Sequence, residues 1–416
     1  MRRGSLILVI VLFEGPFAFP QGMPVGPEFR VNTYTTGNQG ASSAVALDAA
    51  GNFVVVWDSI QTAPFGGVVF GQRFASSGAP FGPEFLVDSS TTGFFGLVSV
   101  ASDPAGNFLV VWMRDTGGGS SDSSEEVFGQ RYAASGVPLG PTFRVNTYTT
   151  WYQNQPAVTS DPSGGFVVVW NSTPQGIAGQ RFASSGSPVG PEFIVNTHPP
   201  GYQFSPDVAS DSTGGFVVVW QSGQEGAGPP AYTGIYARRY GSGGVPLGPE
   251  FHVNTFTPFL QTGAEVASAA DGAFVVVWRS YGLLGPFLGI YGQRYASSGA
   301  PAGAEFRVDT TPGNDWFQPS VASDSSGNFV VVWTSDITNS DVFGRRFASS
   351  GPPLGPEFRV NTYTTASQQQ AAVVPGPLGD FVVVWKSQGQ DGSAYGVFGQ
   401  RFAPMVPVEL MDIEVE

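Results

Sequence analysis

The chain has 416 residues, of which 41% are hydrophobic and 12% charged, and its net charge is −14 at pH 7. So small a charged share excludes a disordered polyelectrolyte or a coiled coil. An acidic balance with a single lysine, Lys386, excludes the basic patch that nucleic-acid binding requires. With no cysteine there are no disulfides, no thiol catalysis and no thiolate metal site. Two histidines, His198 and His252, cannot build a His-rich metal centre. No metal and no cofactor is expected.

At the N-terminus, Arg2 and Arg3 precede an apolar run from Gly4 to Phe13. The run is too short to span a bilayer but suits the hydrophobic part of a secretion signal. Glu14, Gly15 and Pro16 end it. No other stretch approaches transmembrane length.

The remainder is one unit repeated. Phe-Val-Val-Val-Trp, with Leu109 for one Val, ends at Trp57, Trp112, Trp170, Trp220, Trp278, Trp333 and Trp385. A Gly-Gln-Arg-Phe/Tyr block recurs around Arg73, Arg131, Arg181, Arg239, Arg294, Arg346 and Arg401. A Pro-Glu-Phe-Arg-Val-Asn block starts at Pro27, Pro83, Pro141, Pro191, Pro249 and Pro356, with Ala304 replacing Pro once. Each unit carries four strand signals. In the third, these are Pro156–Ser160, Phe166–Trp170, Ile177–Ala183 and Glu192–Asn196. The turns between them are Asp161-Pro162-Ser163-Gly164 and Ser184-Ser185-Gly186.

Four antiparallel strands at a period of about 50 residues predict a β-propeller blade. The innermost strand must be small where blades converge, and it reads Val-Ala-Ser from Val100, Val208, Val266 and Val321. The second strand is sandwiched between blades and is wholly apolar. The expectation is an all-β, seven-bladed propeller over residues 21–403, preceded by a signal peptide (1–20) and followed by an acidic and apolar tail (404–416). The chain opens with a fourth-type strand, Glu28–Asn32, and its last unit lacks one. The N-terminal strand is therefore expected to close the ring beside Gly399–Phe402, with Glu28 near Arg401.

The turn before the apolar run, Asp103, Gly106, Asn107, Phe108 and likewise Asp324, Gly327, Asn328, Phe329, resembles the Asp-box hairpin of sialidase-type propellers. It departs from that box in the distance from Gly to Trp112 or Trp333. The whole unit is similar to the propeller repeats of secreted bacterial surface proteins.

A residue present in every blade builds blades, because an active site is a single place. The tryptophans therefore read as core. The arginines read as cross-strand ion pairs, Arg73 with Glu84, Arg181 with Glu192 and Arg294 with Glu305. Thr142 leaves Arg131 without such a partner. The turn aspartates Asp48, Asp103, Asp161, Asp211 and Asp324 offer one carboxylate each, too few for calcium, and read as side chains bonding to their own turns. Asp122, Glu125 and Glu126 read as a solvated loop.

Function is expected on the face of variable loops. Aromatics that the units do not share lie there: Trp151, Tyr152, Tyr202, Trp316 and Phe317 as candidate ligand-binding residues, with Phe94, Phe95, Phe204 and Phe259 nearby. Asn154, Gln155, Gln203, Asn314, Asp315 and Gln318 sit among them. Aromatic faces and amides together suit a sugar. The expectation is a secreted or cell-surface, monomeric, non-catalytic binding or scaffold module for an extracellular glycan or protein. The alternative is a propeller glycoside hydrolase or polysaccharide lyase, favoured if acids converge on the axis.

Overall fold

The structure, a computed structural model, describes residues 23–404 apart from 63–65, 90–94, 117–124, 199–201, 224–231, 282–287, 311–315 and 336–339. The proposed signal peptide and the tail from residue 405 therefore lie outside the described residues, as do Phe94, Asp122, Asn314 and Asp315.

Every regular element among the described residues is a β-strand. Five four-stranded antiparallel sheets each run in chain order, and a further sheet of eight strands joins the two chain ends. The third unit shows the pattern: Gln153–Ser160, Phe166–Ser172, Gly176–Phe182 and Phe193–Ile194. The outer strand is shorter than the sequence suggests, because only Phe193 and Ile194 enter the ladder, opposite Gly179 and Ala178. The inner strands are Asn38–Leu47, Phe95–Ser102, Gln153–Ser160, Gln203–Ser210, Gln261–Ser268, Trp316–Ser323 and Gln368–Pro375. Each of them touches the next, and the first touches the last. Sheets standing radially around a ring of inner strands are the architecture of a β-propeller.

The apolar second strands are buried on both faces. Trp57, Trp112, Trp170, Trp220, Trp278, Trp333 and Trp385 are at most 1% exposed. Each core cluster draws on two neighbouring units: Trp112 and Val110 pack with Val54, Val56 and Val69 of the unit before. An indole buried this deeply needs an acceptor. Gln153, Gln203, Gln261 and Gln368 supply it to Trp170, Trp220, Trp278 and Trp385 at 2.8–3.1 Å.

The turn aspartates bond as their sequence predicts. Asp48 Oδ1 accepts from the Ala50 and Asn52 amides at 2.9 Å, and Asp161 Oδ1 from Ser163 and Gly165 at 2.8 and 2.9 Å.

The arginines correct the ion-pair expectation. They do not pair with the glutamates across the hairpin but reach the next unit. Arg73 donates to Ala134 O at 2.7 Å, Arg181 to Ser242 O and Gly243 O at 2.6 and 2.8 Å, and Arg294 to Ser349 O at 2.6 Å. Arg131, for which no partner was foreseen, donates to Ser184 O and Ser185 O. The glutamates reach the other way. Glu84, Glu192 and Glu305 accept from the Thr33, Thr147 and Thr255 amides of the preceding unit, each at 2.7 Å. The reason is geometric: these side chains project sideways toward a neighbouring sheet whose turn carbonyls and loop amides lack partners of their own.

The chain ends meet in the eight-stranded sheet. Phe29 and Arg30 pair antiparallel with Gly399 and Phe398. Val31 N donates to Val397 O at 2.8 Å, and Val25 N to Arg401 O at 2.7 Å. The Phe29 ring rests where a Cβ on Gly399 would stand, 2.6 Å away, so glycine is required there. The register sets Glu28 opposite Gln400, next to Arg401 as expected, but its carboxylate bonds elsewhere. It accepts from Thr362 N at 2.9 Å and from Gln390 Nε2 at 2.8 Å.

Candidate functional site at the variable-loop end of the axis

Because strands alternate in direction, the Asp turns and the Ser-Ser-Gly turns share one end of the molecule, and the variable loops share the other. Each inner strand carries a bulge close to that second end, as between Asn154 and Ala157 or Thr262 and Glu265. The extra residue takes a left-handed conformation: φ is +61° at Gly263, +53° at Gln155, +48° at Ser205 and +54° at Gln370. Glycine tolerates this at no steric cost; the other three store strain at the rim of the axis.

The expected aromatics divide. Trp151 and Tyr202 are 61% and 68% exposed, and Tyr152 is exposed as well. They precede the adjacent inner strands Gln153–Ser160 and Gln203–Ser210. Tyr202 packs on Phe204 at 5.8 Å. Trp316 and Phe317 lie two units further round, in backbone register with Ser335 and Thr334. The five thus form no single cluster by position. Gln203 is not available to a ligand, since it is buried and holds Trp220. Asn154 donates to Glu125 at 2.5 Å. Glu125 and Glu126 correct the loop expectation: both lie in the third strand, and buried Glu126 accepts from Asn146.

Two acids stand on the inner strands themselves. At one strand position the ring reads Ala44, Ser99, Ala157, Asp207, Glu265, Ser320 and Ala372. Asp207 Oδ2 accepts from Val266 N at 2.8 Å, and Glu265 Oε2 from Val321 N at 3.3 Å. The same stitch is made by a hydroxyl in the next unit, where Ser320 Oγ accepts from Val373 N at 3.3 Å. Both carboxyls are pushed up from the usual range. Burial is the first cause for each, and for Glu265 the neighbouring Asp207 charge adds to it.

Above Gly263 the axis mouth opens into a cavity of about 440 Å³. Arg279 and Lys386 line it from the position after the repeated tryptophan. Tyr281, Thr262, Gln369 and Gln370 complete the wall. Arg279 is 5% exposed and lies over the Tyr281 ring at 3.8 Å. The Lys386 amine lies 4.1 Å over Tyr395, with its pKa lowered by burial and partly restored by Asp58. Burial pushes Asp58 up to about 6 against the Ser42 amide. Among the described residues no group of three or more His, Cys, Asp or Glu could hold a metal ion.

No protein-family model matches the chain, and no curated protein matches it. Solved structures do. A protein of unknown function from Dyadobacter fermentans is 11% identical, with a TM-score of 0.55 over 75% of this chain and 95% of that one. The α-L-arabinanase of Penicillium chrysogenum, complexed with arabinobiose, is 11% identical with a TM-score of 0.49 over 90% and 98%. AofleA from Arthrobotrys oligospora is 11% identical with a TM-score of 0.47 over 82% and 90%. The likeness to the Dyadobacter protein is one of fold. This chain is a β-propeller.

The sequence carries a signal for the two acids. Asp207 and Glu265 break the repeat where other units carry Ala or Ser, whereas Arg279 and Lys386 stand at a position that differs in every unit, the others being Asp58, Met113, Asn171, Gln221 and Thr334. A departure from the repeat at a fixed position marks what the scaffold does not need.

Proposed function

We propose that the chain is a secreted, seven-bladed propeller that hydrolyses a glycan at the variable-loop end of its axis, with Asp207 and Glu265 as its acid pair. Seven blades follow if the eight-stranded sheet is two blades linked by one parallel bridge, Asn38 to Tyr395. Export is supported by Arg2, Arg3 and the apolar run behind them.

The observation that carries hydrolysis is the redundancy of the two carboxyls. Ser320 makes the same interstrand bond with a hydroxyl, so stitching does not require a carboxylate. Keeping two carboxyls close in a half-buried wall costs free energy that a structural role does not explain. Neighbouring carboxyls with raised pKa values provide what glycoside hydrolysis uses. One protonated group donates to the leaving oxygen, and one ionised group takes a proton from water or attacks the anomeric carbon. Glu265, raised by both burial and Asp207, is the donor, and Asp207 is the base or nucleophile.

The test is reducing-end release from a panel of plant and bacterial polysaccharides. Asp207→Asn and Glu265→Gln should each lower turnover at least 100-fold with the melting temperature held or raised. Ser320→Ala, which removes a stitch without an acid, should leave turnover within about threefold. If no polysaccharide is cleaved while one is bound, the second reading stands: a non-catalytic glycan- or protein-binding module. The exposure of Trp151, Tyr152 and Tyr202 supports that reading.

A further inference from the structure

At the Asp-turn end of the molecule, the seams between neighbouring units hold cavities lined by corresponding residues. Between the first and second units the cavity measures about 80 Å³, with Asp48, Asn52, Arg73 and Phe81 in its wall. Between the fifth and sixth it measures about 220 Å³, and the matching residues are Ala269, Ala273, Arg294 and Ala302. The side chains that fill the first cavity are cut back to methyl groups in the second, and the arginine is kept. The seam after the sixth unit is wider, about 400 Å³, but there the Asp324 and Asp380 charges counter the burial of Arg346.

Each truncation takes something from the arginine. In the first unit the Phe81 ring lies 4.9 Å from the Arg73 guanidinium; Ala302 has no ring to offer Arg294. In the second unit burial lowers the Arg131 pKa and the Asp103 charge partly restores it; at Arg294 burial acts alone. The fifth turn itself keeps a carboxylate, because Asp271 Oδ1 accepts from Ala273 N at 2.9 Å, much as Asp161 serves Gly165. What is missing is the carboxylate between the units. Asp48, Asp103 and Asp211 each set an oxygen 3.1–3.2 Å from where a Cβ on the next unit's turn glycine would stand; at Gly327 the Ala269 methyl, 3.4 Å away, stands there instead.

Among the described residues Arg294 makes one hydrogen bond, from Nη1 to Ser349 O at 2.6 Å, whereas Arg181 makes two. Ser326 and Ser349 share its wall, and Phe274, Tyr295 and Phe329 give the cavity apolar surface. A guanidinium is a planar fork that matches a carboxylate. The volume is below the roughly 300–1,000 Å³ of drug-sized pockets, which suits a smaller molecule.

We propose that the seam between the fifth and sixth units is a binding site for a small organic monocarboxylate. Arg294 takes the carboxylate, which replaces the turn aspartate of the other seams, and the apolar body fills the space beside Ala273 and Ala302. The site lies at the end opposite the variable loops and does not depend on the hydrolase reading.

The experiment is calorimetric titration of the full chain with benzoate and with benzamide, its neutral counterpart, at fixed ionic strength. Benzoate should bind about 10-fold more tightly than benzamide, and Arg294→Gln should remove that preference. Ala269→Asp returns the residue of the other turns, so it should melt at least as high as the parent and bind benzoate about 10-fold more weakly. Ala302→Phe, which restores the arrangement around Phe81, should weaken both ligands alike. Arg73→Gln, at the seam already filled by Asp48 and Phe81, should leave benzoate affinity unchanged. Equal affinity for benzoate and benzamide overturns the proposal, and so does the absence of saturable benzoate binding. Undiminished benzoate binding by Ala269→Asp overturns it too, and decides the matter even if Arg294→Gln fails to fold.

Discussion

Arg401 Nη1 donates to the carbonyl of Ser77 at 2.6 Å, across 324 residues of sequence. It is the same tie that Arg181 makes to Ser242 and Gly243 one unit on. The last unit therefore treats the first as its next neighbour. Glu84 returns the contact by accepting from Thr33 at the N-terminal end of that joint. The seams are tied by an arginine in one direction and a glutamate in the other, except that Thr142 replaces the glutamate where the second unit meets the first.

Closure depends on the N-terminal strand. Removing residues 21–33 strips Phe29 and Val31 from the last sheet and leaves the edge at Gly396–Phe402 open. Truncating a single buried Phe costs about 3–5 kcal/mol, and an open edge invites pairing between molecules. Thermal denaturation with light scattering should show a clearly lower melting temperature and aggregation. An unchanged melting curve would refute closure by this strand.

The glutamate ties are charge-assisted but partly exposed. Glu192→Ala should destabilise by about 1 kcal/mol, since it unbonds both the Thr147 amide and its hydroxyl. Thr142→Ala, at the one outer strand where the glutamate is replaced, should cost less. Among the described residues its hydroxyl donates to Gln130 of its own unit alone, at 3.0 Å. Equal losses in urea titrations would show that the tie contributes nothing.

Exposed and buried aromatics should respond in opposite ways. Trp151→Ala and Tyr202→Ala should leave stability within about 0.5 kcal/mol, because most of each ring already faces water. Trp170→Ala should cost about 3–5 kcal/mol and orphan the Gln153 carbonyl oxygen. If either exposed residue contributes to a glycan site, its alanine variant binds less glycan at an unchanged melting temperature. A drop in melting temperature for Trp151→Ala assigns it to packing.

The acid pair makes stability depend on pH. Asp207 and Glu265 are raised in the folded state, so between the ordinary carboxylate range near pH 4 and neutrality the native chain holds protons that the unfolded chain releases. Stability from this pair is therefore full below that range and declines as pH rises through the folded values. The urea midpoint should fall between pH 5 and pH 8, and Glu265→Gln should flatten the fall. Parallel pH profiles for the two proteins would show that Glu265 is not raised.

The repeat made much of the architecture readable from sequence. The Phe-Val-Val-Val-Trp run, the two turns and the small inner strand each follow from local chemistry that recurs unit by unit: burial on both faces, turn-bonding aspartate, crowding near an axis. The N-terminal strand beside Gly399 was also legible, because a short hairpin assigns each outer strand to its own sheet. What the units do to one another was not. Arg181 and Glu192 look like partners because the hairpin sets them opposite, but a sheet's side chains project toward its neighbours, and the sequence does not contain the neighbour's position. Gln203 looked free for a sugar, yet a buried indole seventeen residues on, Trp220, takes it. Asp207 and Glu265 were visible as breaks in the repeat, whereas Arg279 and Lys386 stand where every unit differs. That Asp207 comes beside Glu265, and Arg279 into one cavity with Lys386, was decided by the ring, which brings together residues from blades that no local pattern connects.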